Sequence, residues 1–155
     1  MTEHADYELL ITRIFDAPRE RVYRAFTDPD QIARWFGPAG WKVPRETVDI
    51  DARPGGYQRL VMVNAEDPSL TSPVDAELTE VVENEVLAGT QSVRHSPGLA
   101  GPSGTLTLRV EFAGSSHHKT LLVIWQGPYT EEDEAMARQG WETSFGKLDE
   151  LLATA

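Results

Sequence analysis

Cysteine is absent from the sequence, which removes disulfides, thiolate metal ligands and cysteine nucleophiles at once. Long apolar runs are absent too: nothing approaches the roughly 18 consecutive residues that a membrane span requires. The opening MTEHADYELL has no basic segment leading into an apolar one, so no export signal is read in it and the expected location is the cytoplasm. Basic residues are scarce. Lys and Arg number 14 against 25 Asp and Glu, a net charge of −11, which repels nucleic-acid phosphates and anionic membrane surfaces. Neither is expected as a partner, and solubility accounts for the charge.

The signatures of catalysis are equally thin. The four histidines, His4, His95, His117 and His118, have no partner at metal-ligand spacing, and neighbours such as His117 and His118 point to opposite sides of a strand end. No GxSxG occurs, and no serine is tied by spacing to a histidine and an acid. The PGG at residues 54–56 lacks the lysine of a phosphate loop and reads as a turn into a strand. No metal, cofactor or covalent mechanism is implied, which weighs against an enzyme without excluding one.

What is present is a pattern of strands with helices at two places. YELLITRIF, residues 7–15, is rich in β-branched and apolar residues and ends at Asp16 and Pro18. A helix should follow, with Asp16 or Ala17 as its cap, Pro18 in its first turn, and Val22, Ala25 and Phe26 on one face. A second short helix restarts after Pro29 and runs through Ile32 and Trp35. Six strands come next: VPRETVDI, YQRLVMV, VDAELTEVV, EVLAGTQSV, TLTLRVEF and KTLLVIW, separated by short turns that favour an antiparallel meander. HSPGLAGPSG, residues 95–104, reads as a loop, either a flap or inert.

The last segment is an amphipathic helix. Thr130 caps it, Glu131, Glu132, Asp133 and Glu134 oppose the positive end of its dipole, and Ala137, Trp141, Phe145, Leu148 and Leu152 form one apolar stripe. At about 24 residues it would be roughly 36 Å long, enough to cross a sheet of nine-residue strands about 30 Å long. The expectation is an α+β fold in one domain, residues 1–155, that buries about 70% of the unfolded chain's surface. Seven twisted strands should curl around the helix and leave space between.

Alternation says what that space contains. Leu106, Leu108, Val110 and Phe112 share the inward face of their strand. Strict parity through Val74, Ala76, Leu78, Glu80 and Val82 aims Glu80 at the interior, where a lone carboxylate needs a partner or a proton; the alternative is an exposed Glu80 near a strand end. KTLLVIW is apolar on both faces, which suits packing under a loop or a homodimer contact. Gly140 and Gly146, each costing about 1 kcal/mol inside a helix, suggest close approach of a backbone or of a ligand. The non-helical stretch of QIARWFGPAGW, residues 31–41, carries Trp35, Phe36 and Trp41, rings that must pack on a core or line a hollow.

The motifs TRIFDAPRERVYRAFTDPDQIARWFGP, DARPGG with Met62 beyond it, TEVVENEVL and GWETSFGKLDELL resemble the homologues of the activator of the heat-shock-protein-90 ATPase. That family lies in the START-related helix-grip superfamily (SRPBCC), and the resemblance runs from Thr12 to Leu152. It implies a helix-grip fold, a curved antiparallel seven-stranded sheet wrapped around a long C-terminal helix, with two short helices between strands 1 and 2. It places the loop after the second short helix at the mouth of a cavity, with Trp41 as a wall and Trp35 and Phe36 as wall or core cap. It turns Met62 inward, and with it Leu60 and Gln58, the last standing where relatives often have an aromatic. Leu78 and Glu80 would join from the next strand and Trp141, Phe145 and Leu148 from the helix, with Gln58, Glu80 or Arg59 orienting a ligand's polar end. The implied partner is an apolar or aromatic small molecule. The other readings are a chaperone partner, as for relatives that stimulate a heat-shock ATPase, and a cyclase- or hydrolase-type enzyme using a cavity acid.

Overall fold

The computed structural model describes residues 7–93 and 104–154. Strand β1 (Tyr7–Phe15) is followed by helices α1 (Arg19–Thr27) and α2 (Pro29–Trp35), and short strands β2 (Trp41–Lys42) and β3 (Asp49–Asp51) come next. Strands β4 (Tyr57–Asn64), β5 (Thr71–Val82), β6 (Val86–Val93), β7 (Gly104–Ser115) and β8 (Lys119–Tyr129) form a meander that ends in α3 (Glu131–Ala153). The sheet is antiparallel in the order β1-β8-β7-β6-β5-β4, and β2 and β3 share the outer edge of β4. The eight segments thus occupy seven lanes, curled into a half-barrel around α3 as expected.

Two local expectations change. VPRETVDI is not one strand, because Pro44 has no N–H for a ladder and starts a 3-10 turn at Arg45–Thr47. Thr47 Oγ1 then accepts from Val61 N at 3.2 Å, filling the place in the β4 edge that a strand residue would have taken. At α1 the cap position belongs to Pro18 itself, without a side-chain bond, rather than to Asp16 or Ala17.

Helix α3 starts as its sequence dictates: the Thr130 hydroxyl accepts from Asp133 N at 3.1 Å, and four acidic residues fill the first turn. Its buried face is Trp141, Ser144, Phe145, Leu148 and Leu151, with Ala137 and Leu152 partly covered. Ser144 is tolerated there because its hydroxyl donates to Gly140 O at 2.8 Å. Phe145 meets Phe15 edge to face at 5.3 Å, and Phe26 meets Phe112 at 5.2 Å and Trp35 at 4.8 Å, tying sheet and helices into one apolar core. Each such ring contributes on the order of 1.5 to 3 kcal/mol through burial. At the other end of α3, Arg21 from α1 donates to the carbonyls of Leu151 (3.1 Å), Leu152 (3.2 Å) and Thr154, supplying partners for acceptors that a helix terminus leaves open. Arg13 pairs with Asp149, its guanidinium 5.7 Å from the Phe145 ring centre.

On β8, Leu122 and Ile124 face the core, while Leu121 and Trp125 face outward opposite the exposed Ile14 and Leu10 of β1. No helix among the described residues is long and apolar enough to cross a membrane.

Candidate functional site

The hollow between sheet and α3 is not completely filled. A cavity of about 20 Å³ lies under Phe26, Phe36 and Trp141. Its floor is the inward face of four strands: Gln58 of β4, Ala76 and Leu78 of β5, Leu87, Gly89 and Gln91 of β6, and Leu108 and Val110 of β7. Inward alternation on β5 holds as far as Leu78 and then slips. The register with β6 shifts between Leu78 and Glu80, so that Thr79 is an extra residue and Glu80 stands beside Ala88. A bulge of one residue reverses every later side chain. Val81 therefore joins the core, and Glu80 turns outward to pair with Arg109 at 2.8 Å, which also holds Glu111 at 2.7 Å. The expected cavity acid is an outer-face ion pair. Gly89 belongs to the same irregularity: a Cβ there would sit 1.8 Å from the carbonyl oxygen of Glu77.

The polar groups that do face the hollow are carboxamides. Trp141 Nε1–H donates to Gln126 Oε1 at 2.9 Å, and Gln126 Nε2 donates to Gln91 Oε1 at 2.6 Å. Gln126 and Gln91 are 6% and 4% exposed, so both depend on these bonds for satisfaction. Across the cavity Gln58 Nε2 donates to Phe26 O at 2.9 Å, one of the carbonyls that the end of α1 leaves without a helical partner. No side chain among the described lining residues is ionisable.

The aromatic loop is fixed to α3 along one helical stripe. Pro38 packs against Gly140, with 3.9 Å between Pro38 Cβ and the position a Gly140 Cβ would take. The hydroxyl of Thr143 accepts from Ala39 N at 3.2 Å, and Lys147 Nζ donates to Trp41 O at 3.2 Å. Burial lowers the Lys147 pKa from its ordinary value of 10.5. A Cβ at Gly140 would meet Pro38 only at ordinary van der Waals distance, and nothing lies within 4 Å of a Gly146 Cβ, so the close approach expected at these two glycines is found at neither.

Of the residues expected to bind ligand, the structure brings Phe36, Gln58, Leu78 and Trp141 together at the cavity. Trp35 is fully buried core, its indole N–H donating to Ala25 O at 2.8 Å. Trp41 does not wall the cavity. Gly37 and Gly40, at φ 104° and 88°, reverse the loop and deliver residue 41 to the edge of β4 opposite Asn64. Leu60, Phe145 and Leu148 are core, and Met62 packs beneath the Gly37 turn. Arg59 points outward, paired with Asp75 at 3.3 Å and stacked 4.1 Å from the Tyr57 ring centre. The residues not foreseen are Gln91 and Gln126. Both were signalled by parity, Gln91 in step with Leu87 and Gly89, and Gln126 one step beyond Leu122 and Ile124 on a strand longer than it reads. His4, His95 and most of the segment 95–104 lie outside the described residues.

A half-barrel closed by a long C-terminal helix, with two short helices after the first strand, defines the helix-grip class of SRPBCC type. Residues 16–153 match the family described as Activator of Hsp90 ATPase homolog 1-like protein, AHSA1, and the chain belongs to that family. Among solved structures it is similar to protein CV1439 from Chromobacterium violaceum, with TM-score 0.79 and 25% identity over 96% of this chain and 99% of that one. It is similar also to protein NE0264 from Nitrosomonas europaea, with TM-score 0.74 and 25% identity over 97% and 96%. The AHSA1 protein SPO3351 from Silicibacter pomeroyi shares the fold at TM-score 0.75 and 24% identity over 95% and 98%. No curated protein matches the chain.

Proposed function

We propose that this protein is a noncatalytic binder of an apolar or aromatic small molecule, held in the hollow between the sheet and α3. The observation that carries the reading is the presence of two carboxamides, Gln58 and Gln91, in an otherwise apolar cavity lining, the second joined through buried Gln126 to the Trp141 indole N–H. A core that served packing alone would be filled at lower cost by leucine, since every buried carboxamide must be desolvated and then repartnered. Apolar walls with a few placed polar groups are the composition of small-molecule sites. Glu80, the acid that a cavity acid–base mechanism would have drawn on, faces outward, which supports a binder over an enzyme.

The cavity of about 20 Å³ accommodates water. An apolar cavity that admits benzene measures roughly 150 Å³, so binding requires a wall to move. Phe36 is that wall: half-buried on the loop, it touches Trp35 and Trp141 only edgewise, at 5.6 and 6.0 Å between ring centres. The test is titration with N-phenyl-1-naphthylamine, whose emission rises on burial. Saturable binding that tightens at least fivefold in Phe36→Ala is expected. Absence of saturable binding in both proteins would overturn the proposal.

The family match favours one other reading, partnership with a heat-shock ATPase. An ATPase assay with the chaperone of the same organism decides it: stimulation at saturating protein supports the reading, and an unchanged rate removes it.

A further inference from the structure

The carboxamides in the hollow have fixed orientations, and these specify a ligand class. An indole N–H is a donor only, so Gln126 must turn its oxygen to Trp141 and its NH₂ to Gln91. Gln91 therefore receives that bond on its oxygen and ends the relay with its own NH₂. Gln58 is oriented by the same reasoning from the other side. The carbonyl of Phe26 is an acceptor only, so it takes the Gln58 NH₂ and leaves Gln58 Oε1 as the group turned elsewhere. Each series of bonds is anchored on a neighbour that has a single function, donor at Trp141 and acceptor at Phe26. Of the two lining carboxamides, Gln91 on β6 thus has its NH₂, a donor, and Gln58 on β4 its Oε1, an acceptor, outside these bonds.

Resting on the binding proposal above, we infer that the cavity selects uncharged molecules that carry both a hydrogen-bond donor and an acceptor, as an aryl carboxamide or lactam does, and rejects carboxylates and ammonium ions of the same shape. An acceptor on the ligand meets the Gln91 NH₂, and a donor meets Gln58 Oε1. A charged ligand would lie in apolar walls with no counter-ion among the described lining residues, since the nearby cations are engaged elsewhere: Lys147 with Trp41 O, Arg13 with Asp149, and Arg109 with its two carboxylates on the outer face. A site of buried, fixed polar groups discriminates strongly against a partner that leaves them unmatched.

The test compares 2-naphthamide with 2-naphthoate at pH 7.5, two probes of the same shape that differ in charge. Binding to the intact protein is followed by calorimetry and by the Trp141 indole N–H resonance, assigned with Trp141→Phe. The expected result is at least tenfold tighter binding of naphthamide with a shift of that resonance, and at least a fivefold loss for naphthamide in Gln91→Leu. Equal affinities, or tighter binding of naphthoate, would overturn the selectivity and leave the binding proposal standing. Failure of both probes and of N-phenyl-1-naphthylamine would overturn the binding proposal itself. The wild-type comparison decides the matter if Gln91→Leu does not fold.

Discussion

Lys147 Nζ lies 3.2 Å from the carbonyl oxygen of Trp41, so a half-buried ammonium on the C-terminal helix holds the end of the aromatic loop. Burial lowers its pKa in the folded state below the 10.5 of the unfolded chain. The unfolded chain therefore binds more protons between those two values, and stability contributed by this residue rises with pH through that window and is lost as pH falls through the folded value. Lys147→Met should make the urea midpoint rise less, or fall more, with pH on the alkaline side than it does in the wild type. Taking the difference between wild type and variant cancels Tyr23, whose pKa is raised by burial and by Glu83 and which acts in the opposite sense. Identical slopes in the two proteins would refute the assignment.

Glu80→Gln should leave probe affinity in the hollow unchanged. The carboxylate it removes is about half exposed and pairs with Arg109 on the outer face, so the stability change should stay within about 1 kcal/mol. A loss of binding beyond threefold would place the residue back at the site.

Two glycines should respond in opposite directions. Gly89→Ala drives a methyl into the Glu77 carbonyl, backbone that cannot swing aside, and should cost about 3 kcal/mol or more. Gly146→Ala meets open space on an exposed helical position and should stabilise by up to about 1 kcal/mol. Urea denaturation of both variants checks the pair.

Arg21→Ala removes the donor shared by the last carbonyls of α3. A loss of about 1 to 2 kcal/mol is expected, read as a lower melting temperature and as faster amide exchange confined to the last turn of that helix. Arg21→Lys should recover only part of it, because all three carbonyls are bonded by the single nitrogen Nη2 at the end of the longer, planar side chain, a position that the shorter, flexible lysine stem does not reproduce.

The architecture was legible because its signals are local. The stripe on α3, the Thr130 cap and the alternation of β7 each read correctly from spacing alone. The site was less legible, and Glu80 shows why: parity is exact only in a regular ladder, and the extra residue at Thr79 is set by how β5 meets β6, which no stretch of β5 encodes by itself. Trp41 was misplaced for a related reason, since two left-handed glycines decide where the loop lands. Gln91 and Gln126 were within reach of the same alternation that found Leu108 and Val110. They went unread because polar residues in a strand suggest solvent until their partners across the sheet are known.

Strand β1 pairs with β8, more than a hundred residues later in the chain, whereas β4 through β8 pair with their immediate neighbours in sequence. During synthesis the first strand therefore emerges with nothing to lie against, and the chain must carry it until the final meander strand arrives. Loop closure of that length delays pairing relative to hairpins. Pulsed hydrogen exchange should accordingly show protection in β4 through β7 before β1, and simultaneous protection would exclude this order. Among the strands of the sheet, β1 is made first and paired last.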